Sequence, residues 1–280
     1  MMKYRSIATL LHDPKADLDT LRFAIDAAEK WGAHLHVLCA GINFTDPGFY
    51  YSGAQPSVVE KNLEMARENA LALRAKATGV LEQSNITWDV EPVVVMTMAI
   101  NSFVSRHMRY SDCIILPPPY AKGRGKSDVA IFEACLFNAN VPVLVAPKGA
   151  SIANDPIKPM IAWDCSAEAL AAARALKPLL SDTAEVSICV IDPPESDRER
   201  SDPGGRLAEV LQRTGAHVHI SVLSRTKENI ATQLSRHAMS SGANMIVMGG
   251  YGHSRLREAV IGGVTRSMLR EATLPVLMAH

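Results

Sequence analysis

The feature that most constrains this chain is internal repetition. Each half opens on a short apolar strand that ends in aspartate, SIATLLHD to Asp13 and PMIAWD to Asp164. An alanine-rich amphipathic helix follows in both, LDTLRFAIDAAEKW and AEALAAARALKPLL. The halves also close alike, with a Ser-Arg-His segment (Ser105 to His107, Ser235 to His237), a buried strand (CIIL, MIVM), a linker and helix, and a last strand with proline near its start (VPVLVAP, LPVLMAH). The runs from Leu116 to Pro142 and from Met248 to Pro275 differ in length by one residue. Agreement carried through whole halves marks a repeat. It predicts two homologous domains, 1–149 and 157–280, joined around the Pro- and Asn-containing linker KGASIANDPIKP.

Continuously apolar strands that alternate with helices are the mark of parallel strands covered on both faces. The fold class expected is therefore α/β, two tandem open parallel sheets of five strands with helices on both faces. In the second half the strands fall near Pro159 to Trp163, Val186 to Ile191, His217 to Leu223, Met245 to Met248 and Pro275 to Ala279. In the first half Gly41 to Pro56 reads as a long loop suited to a lid or a dimer contact, leading into a helix near Val58 to Leu81.

Charge narrows the partners. Lysine plus arginine and aspartate plus glutamate number 29 each, so the chain has no basic field for nucleic acid and no acidic tail. The apolar run near the N-terminus is broken by His12 and Asp13, too early for a signal peptide or membrane span. Cys39, Cys113, Cys135, Cys165 and Cys189 form no CxxC pair and suit reduced thiols in a core. A cytoplasmic protein is expected, without nucleic-acid or membrane partners.

One segment departs from ordinary core. MGGYGHSRLREAVIGGVT, Met248 to Thr265, carries five glycines directly after a buried strand. In open α/β sheets the ligand lies beyond the carboxyl ends of the strands, where the strand order reverses. Asp164 ends the first strand of its half and Gly249 begins the loop after the fourth, so both face one crevice if those strands are neighbours. Gly249, Gly250 and Gly252 admit a ligand close to the backbone. Gly262 and Gly263 open the next helix, whose free N–H groups favour a phosphate, and Thr265 adds a hydroxyl in its first turn. Neither a GxGxxG turn after a first strand nor a GK[ST] P-loop is present.

Gly249-x-x-Gly252, nine residues, then Gly262 and a small residue resembles the ATP-binding signature of universal stress proteins, GxxGx9G[ST]. IAWDCSAEA and LPVLMAH are similar to that family as well. The resemblance implies a tandem universal stress protein with sheet order 3-2-1-4-5 in each domain and ATP, with Mg²⁺, between the first and fourth strands. It also implies dimers or tandem pairs joined through edge strands, which leaves a homodimer of the tandem chain open. By position, Asp164 would face the ribose and metal side, Val190 the adenine, and Gly249, Gly252, Gly262, Gly263 and Thr265 the ribose and phosphates, with Met248 lining the pocket. Gly263 stands where the family has Ser or Thr, which removes a hydroxyl bond worth roughly 0.5–1.5 kcal/mol.

The first half departs further. PPPYAKGRGKSDVAIFEACLFN follows its fourth strand, with prolines where flexible glycines belong. Asp13 remains, and Lys122, Arg124 and Lys126 make the loop basic. This reads as a degenerate domain kept for pairing, or as an altered anion pocket.

Other residues carry less. His34 with His36 and His217 with His219 place two imidazoles on one face of a strand, a spacing some metal sites use, but no Cys or carboxylate cluster accompanies them, and no metal site is assigned. His253, Arg255 and Arg257 lie in the signature loop, facing phosphates, a neighbouring subunit or solvent. His107 and His237 read as structural, and Met65, Met96, Met98 and Met239 as core fillers. No GxSxG turn and no paired carboxylates support strong catalysis, and no catalytic residue is assigned. The expectation is an ATP-binding stress or signalling protein with its site in the second domain. A nucleotide-independent scaffold and a slow ATPase are the alternatives.

Overall fold

The computed structural model describes residues 3–44, 56–152, 157–193, 202–251 and 263–280. The chain divides into two compact units, and the division is not a single cut. The N-terminal unit takes Tyr4–Pro117 and Arg124–Val141, and the C-terminal unit takes, of the described residues, Lys3 with Pro118–Gly123 and Pro142–His280. Two stretches of the first repeat therefore pack with the second.

The N-terminal unit runs β1 (Ser6–Leu11), α1 (Leu18–Trp31), β2 (His34–Asn43), α2 (Pro56–Leu81), β3 (Trp88–Met96), α3 (Ile100–Met108), β4 (Cys113–Leu116) and α4 (Lys126–Glu133). Its strands are parallel in the order β3-β2-β1-β4. β1 is buried at every position from Ile7 to Leu11, as a central strand covered on both faces must be. α1 turns Leu21, Ala24, Ala28 and Trp31 inward at helical spacing. It stops at Gly32, whose φ of 64° lets its N–H return to the carbonyls of Ala28 and Glu29. Gly41 to Asn43, expected to begin a loop, continue β2 instead. A Cβ on Gly41 would stand 1.8 Å from the Ala66 carbonyl oxygen, so glycine is what lets α2 lie directly on the strand. Most of the rest of that loop, 45–55, lies outside the described residues.

The C-terminal unit holds β5 (Val143–Val145), β6 (Pro159–Ala162), α5 (Ala167–Leu176), β7 (Glu185–Ile191), α6 (Gly205–Gln212), β8 (His217–Leu223), α7 (Ile230–Ser240), β9 (Met245–Gly249), α8 (Val264–Glu271) and β10 (Val276–Ala279). Five of its strands run parallel in the order β8-β7-β6-β9-β10, which is 3-2-1-4-5. The sixth, β5, is the first repeat's last strand and pairs antiparallel with β10, Val145 opposite Val276 and Val143 opposite Met278. Both short strands are buried throughout, and an unpaired edge on either would leave buried backbone groups unsatisfied.

Four of the five cysteines are buried, while Cys165 is exposed. Burial pushes the Cys39 thiol up to about 12 and the Cys189 thiol up to about 11. The methionines read as core fillers are a correction: Met65, Met96, Met98 and Met239 are all exposed. Met65 and Met239 sit on the outward sides of amphipathic helices, where their apolar character says nothing about direction.

Candidate functional site

β6 and β9 are neighbours, with Ala162 opposite Met248, and this is where the strand order of the C-terminal unit reverses. A cavity of about 280 Å³ opens there. Its apolar part is made by Ala162, Cys189, Ile191 and Met248 of the strands and by Ile230 and Leu234 of α7. Trp163, Asp164, Gly249, Val264 and Thr265 supply the remainder, from the loop after β6 and the two ends of the glycine segment. One side can thus take a flat apolar group, and the other has a carboxylate and a helix N-terminus.

Of the residues singled out in the sequence, Asp164, Met248, Gly249 and Thr265 line this cavity. Gly263 is the N-cap of α8, with φ −62° and ψ 151°. Gly252 and Gly262 lie outside the described residues, as do His253, Arg255 and Arg257. Val190 is buried and is not part of the cavity lining. Alternation along β7 gives that place to Cys189 and Ile191, and puts the Val190 side chain on the opposite face of the sheet.

Gly249 has a packing reason to be glycine besides the ligand approach expected of it. A Cβ there would stand 2.6 Å from the Ala169 nitrogen and 2.8 Å from the Glu168 carbonyl carbon, so its bareness makes room for the first turn of α5. Asp164 also has a local duty: its Oδ1 accepts from the Ser166 N–H at 3.1 Å and the Ser166 hydroxyl at 2.6 Å. Ser166 in turn caps α5 by accepting from the Ala169 N–H.

The start of the glycine segment is tied down. The Gly250 N–H donates to the Ala279 carbonyl at 2.9 Å, and the Gly250 carbonyl meets His280 Nδ1 at 2.9 Å. Tyr251 has φ 55°, an uncommon conformation for a non-glycine residue, and its N–H donates to Thr265 Oγ1 at 3.4 Å. Its hydroxyl lies 3.0 Å from that of Tyr120, which belongs to the Pro118–Gly123 segment of the same unit. The Arg266 guanidinium stands over the Tyr120 ring at 5.1 Å. Nothing in the sequence linked Tyr120 or Arg266 to the site, because they are far apart in the chain and neither belongs to the motif.

The corresponding place in the N-terminal unit is filled by the protein itself. Arg124, expected to make an exposed basic loop, turns inward: its Nη1 pairs with Asp17 and donates to Asp128 at 3.1 Å, and its Nη2 donates to the Ala16 carbonyl at 3.0 Å. His12 Nε2 lies 2.9 Å from Asp128 Oδ1, and the Gly125 N–H donates to Asp128 Oδ2 at 2.8 Å. Asp17 receives the N–H groups of His12 and Asp13 on its other oxygen. A cavity of only about 10 Å³ remains between His12, Pro117 and Asp128. Burial works against the ionised Asp128, yet His12, the Gly125 N–H and Arg124 together hold its carboxyl below the usual range. Burial likewise opposes the charged His12, and its hydrogen bond to Asp128 with the charges of Asp17 and Asp128 outweighs it, so its pKa is raised. Asp13 repeats the local duty of Asp164, accepting from the Lys15 and Ala16 N–H groups, the first of which chiefly lowers its pKa.

His34 and His36 each meet one oxygen of Asp89, at 2.7 and 2.6 Å. His217 and His219 are exposed on β8. Among the described residues no three His, Cys, Asp or Glu side chains converge as a metal site requires. His107 and His237 lie in α3 and α7, away from the cavity lining. Among those residues, too, no helix is long and apolar enough to cross a membrane.

Residues 160–280, the span that builds this cavity, match the model of the universal stress protein family. Through this half the chain is similar to the universal stress protein family. A universal stress protein of Synechocystis is 32% identical over 73 residues, a stretch that takes in 26% of this chain and 24% of that relative's length. Over the whole chain the fold resembles that of a universal stress protein from Archaeoglobus fulgidus, with a TM-score of 0.65, 16% identity and 97% of each chain covered. A candidate universal stress protein from Pseudomonas aeruginosa gives a TM-score of 0.56 at 16% identity, covering 98% of this chain and 92% of that one. At such identities the likeness is one of fold.

Proposed function

We propose that this chain is a tandem universal stress protein whose C-terminal unit binds ATP with Mg²⁺, and that the occupied state is the signal it gives in a cytoplasmic stress response. The observation that carries the reading is the cavity between Asp164 and the N-terminus of α8. The first turn of α8 contains no acidic residue, so its N–H groups and positive dipole end suit an anion. Thr265 lines the same space. The apolar wall of Ile191, Ile230, Leu234 and Met248 suits a purine base, as small-molecule sites combine such walls with a few placed polar groups.

Asp164 is exposed, and its Oδ2 is left to face a ribose hydroxyl or the cation. Mg²⁺ ordinarily takes one or two carboxylates together with phosphate oxygens, and one carboxylate at the phosphate end fits that habit. When bound it would neutralise phosphate charge. Asp164 is the only carboxylate among the described lining residues, and the Cys189 thiol is held protonated by burial. Hydrolysis of bound ATP is therefore slow.

The test is thermal unfolding of the full chain with ATP and Mg²⁺. Bound ligand raises the melting temperature by mass action. The rise is expected in the wild type and is expected to shrink in Asp164→Ala. A melting curve that ATP leaves unmoved would instead favour an interaction scaffold that uses no nucleotide.

A further inference from the structure

We infer that Tyr120 is a positioning residue for the anion end of this site, holding Tyr251 and Arg266 in place around Thr265. The inference rests on the nucleotide reading above and adds a residue that lies outside the signature. Three observations meet at one side chain. The Tyr120 hydroxyl lies 3.0 Å from the Tyr251 hydroxyl, the Arg266 guanidinium stands 5.1 Å above the Tyr120 ring, and Tyr251 is held at φ 55° with its N–H on Thr265 Oγ1. Thr265 lines the cavity.

The physical logic runs from conformation to charge. A tyrosine at positive φ persists only where its surroundings fix it. Here they do so from the side chain through Tyr120 and from the backbone through Thr265. Arg266 is exposed in the first turn of α8, where a positive charge opposes the helix dipole. No carboxylate among the described residues pairs with it. The Tyr120 face gives the guanidinium a resting place through a cation–π contact, which keeps positive charge beside the turn that would meet a phosphate. The chemistry this favours is polyphosphate, so Tyr120 governs affinity for the phosphates and leaves the nucleoside alone.

The experiment compares ATP and adenosine binding to the full chain by calorimetry, in wild type, Tyr120→Ala, Tyr120→Phe and Arg266→Gln, with amide hydrogen exchange at Tyr251 as a second measurement. Tyr120→Ala is expected to weaken ATP about tenfold, with adenosine unchanged. Tyr120→Phe, which keeps the ring under Arg266, recovers part of that loss, and Arg266→Gln reproduces most of it. An ATP affinity in Tyr120→Ala within about twofold of wild type, or equal losses for ATP and adenosine, overturns the inference. A wild type that binds neither compound refutes the nucleotide reading instead. Exchange at Tyr251 then decides the clamp by itself: acceleration in Tyr120→Ala supports it, and unchanged exchange overturns it.

Discussion

α4 and α8 occupy the same place in their repeats, and each starts from a glycine, Gly125 and Gly263. Three residues on, α4 carries Asp128 and α8 carries Arg266. In the N-terminal unit the helix therefore receives its anion from its own first turn, and Arg124 and His12 balance it, leaving about 10 Å³. In the C-terminal unit the first turn of α8 carries no such anion, and about 280 Å³ stands open beside a helix start that includes Thr265. The same topology thus gives one closed, self-neutralised crevice and one with room for a ligand. What decides between them is the sign of one side chain and the arginine that answers it.

Breaking the closed crevice should produce the largest effect. Arg124→Met strands the buried carboxylates of Asp17 and Asp128, and loss of one partner from a buried pair costs about 3–5 kcal/mol. Urea unfolding should show that loss while ATP binding per folded molecule stays unchanged. Next comes Gly249→Ala, whose added methyl collides with the start of α5 and is expected to cost about 1–3 kcal/mol through overpacking. An unchanged unfolding midpoint would refute the packing argument for that glycine.

Thr265→Val tests the open crevice. Loss of its hydroxyl is worth roughly 0.5–1.5 kcal/mol, an ATP affinity lowered about two- to tenfold in a calorimetric titration. The smallest effect is that of pH on the N-terminal unit. The stability contributed by Asp128, whose folded pKa is depressed, is present above the usual carboxylate range and is lost as pH falls through the folded value. That of His12, whose folded pKa is raised, is present below the usual imidazole value and is lost as pH rises through the folded one. Urea midpoints should therefore dip at both ends, and a midpoint that climbs steadily through the neutral range would contradict the pairing.

The repeat and the apolar runs made the succession of strands and helices legible, while the order of strands within the sheet came from the family resemblance. β5 was placed by sequence in the first repeat but packs with the second, because VPVLVAP and LPVLMAH look alike and pattern alone does not say which edges meet. Asp164, Met248 and Thr265 were readable from the motif and from where strands end. Val190 was not, since a shift of one residue along a strand reverses the face. The packing duty of Gly249 was not legible, because a missing side chain looks the same whether it admits a ligand or a helix. Arg124 read as part of a basic loop, since sequence gives the charge of a side chain and not its direction. The hint that could have found it was the spacing to Asp128, four residues on, with Asp17 as a third charge.

The difference between the two crevices is measured most directly by the stoichiometry of ATP binding to the full chain, read by calorimetry or native mass spectrometry in the presence of Mg²⁺. The account predicts one nucleotide per chain, lost or weakened in Asp164→Ala. Two nucleotides per chain, or none, would contradict it.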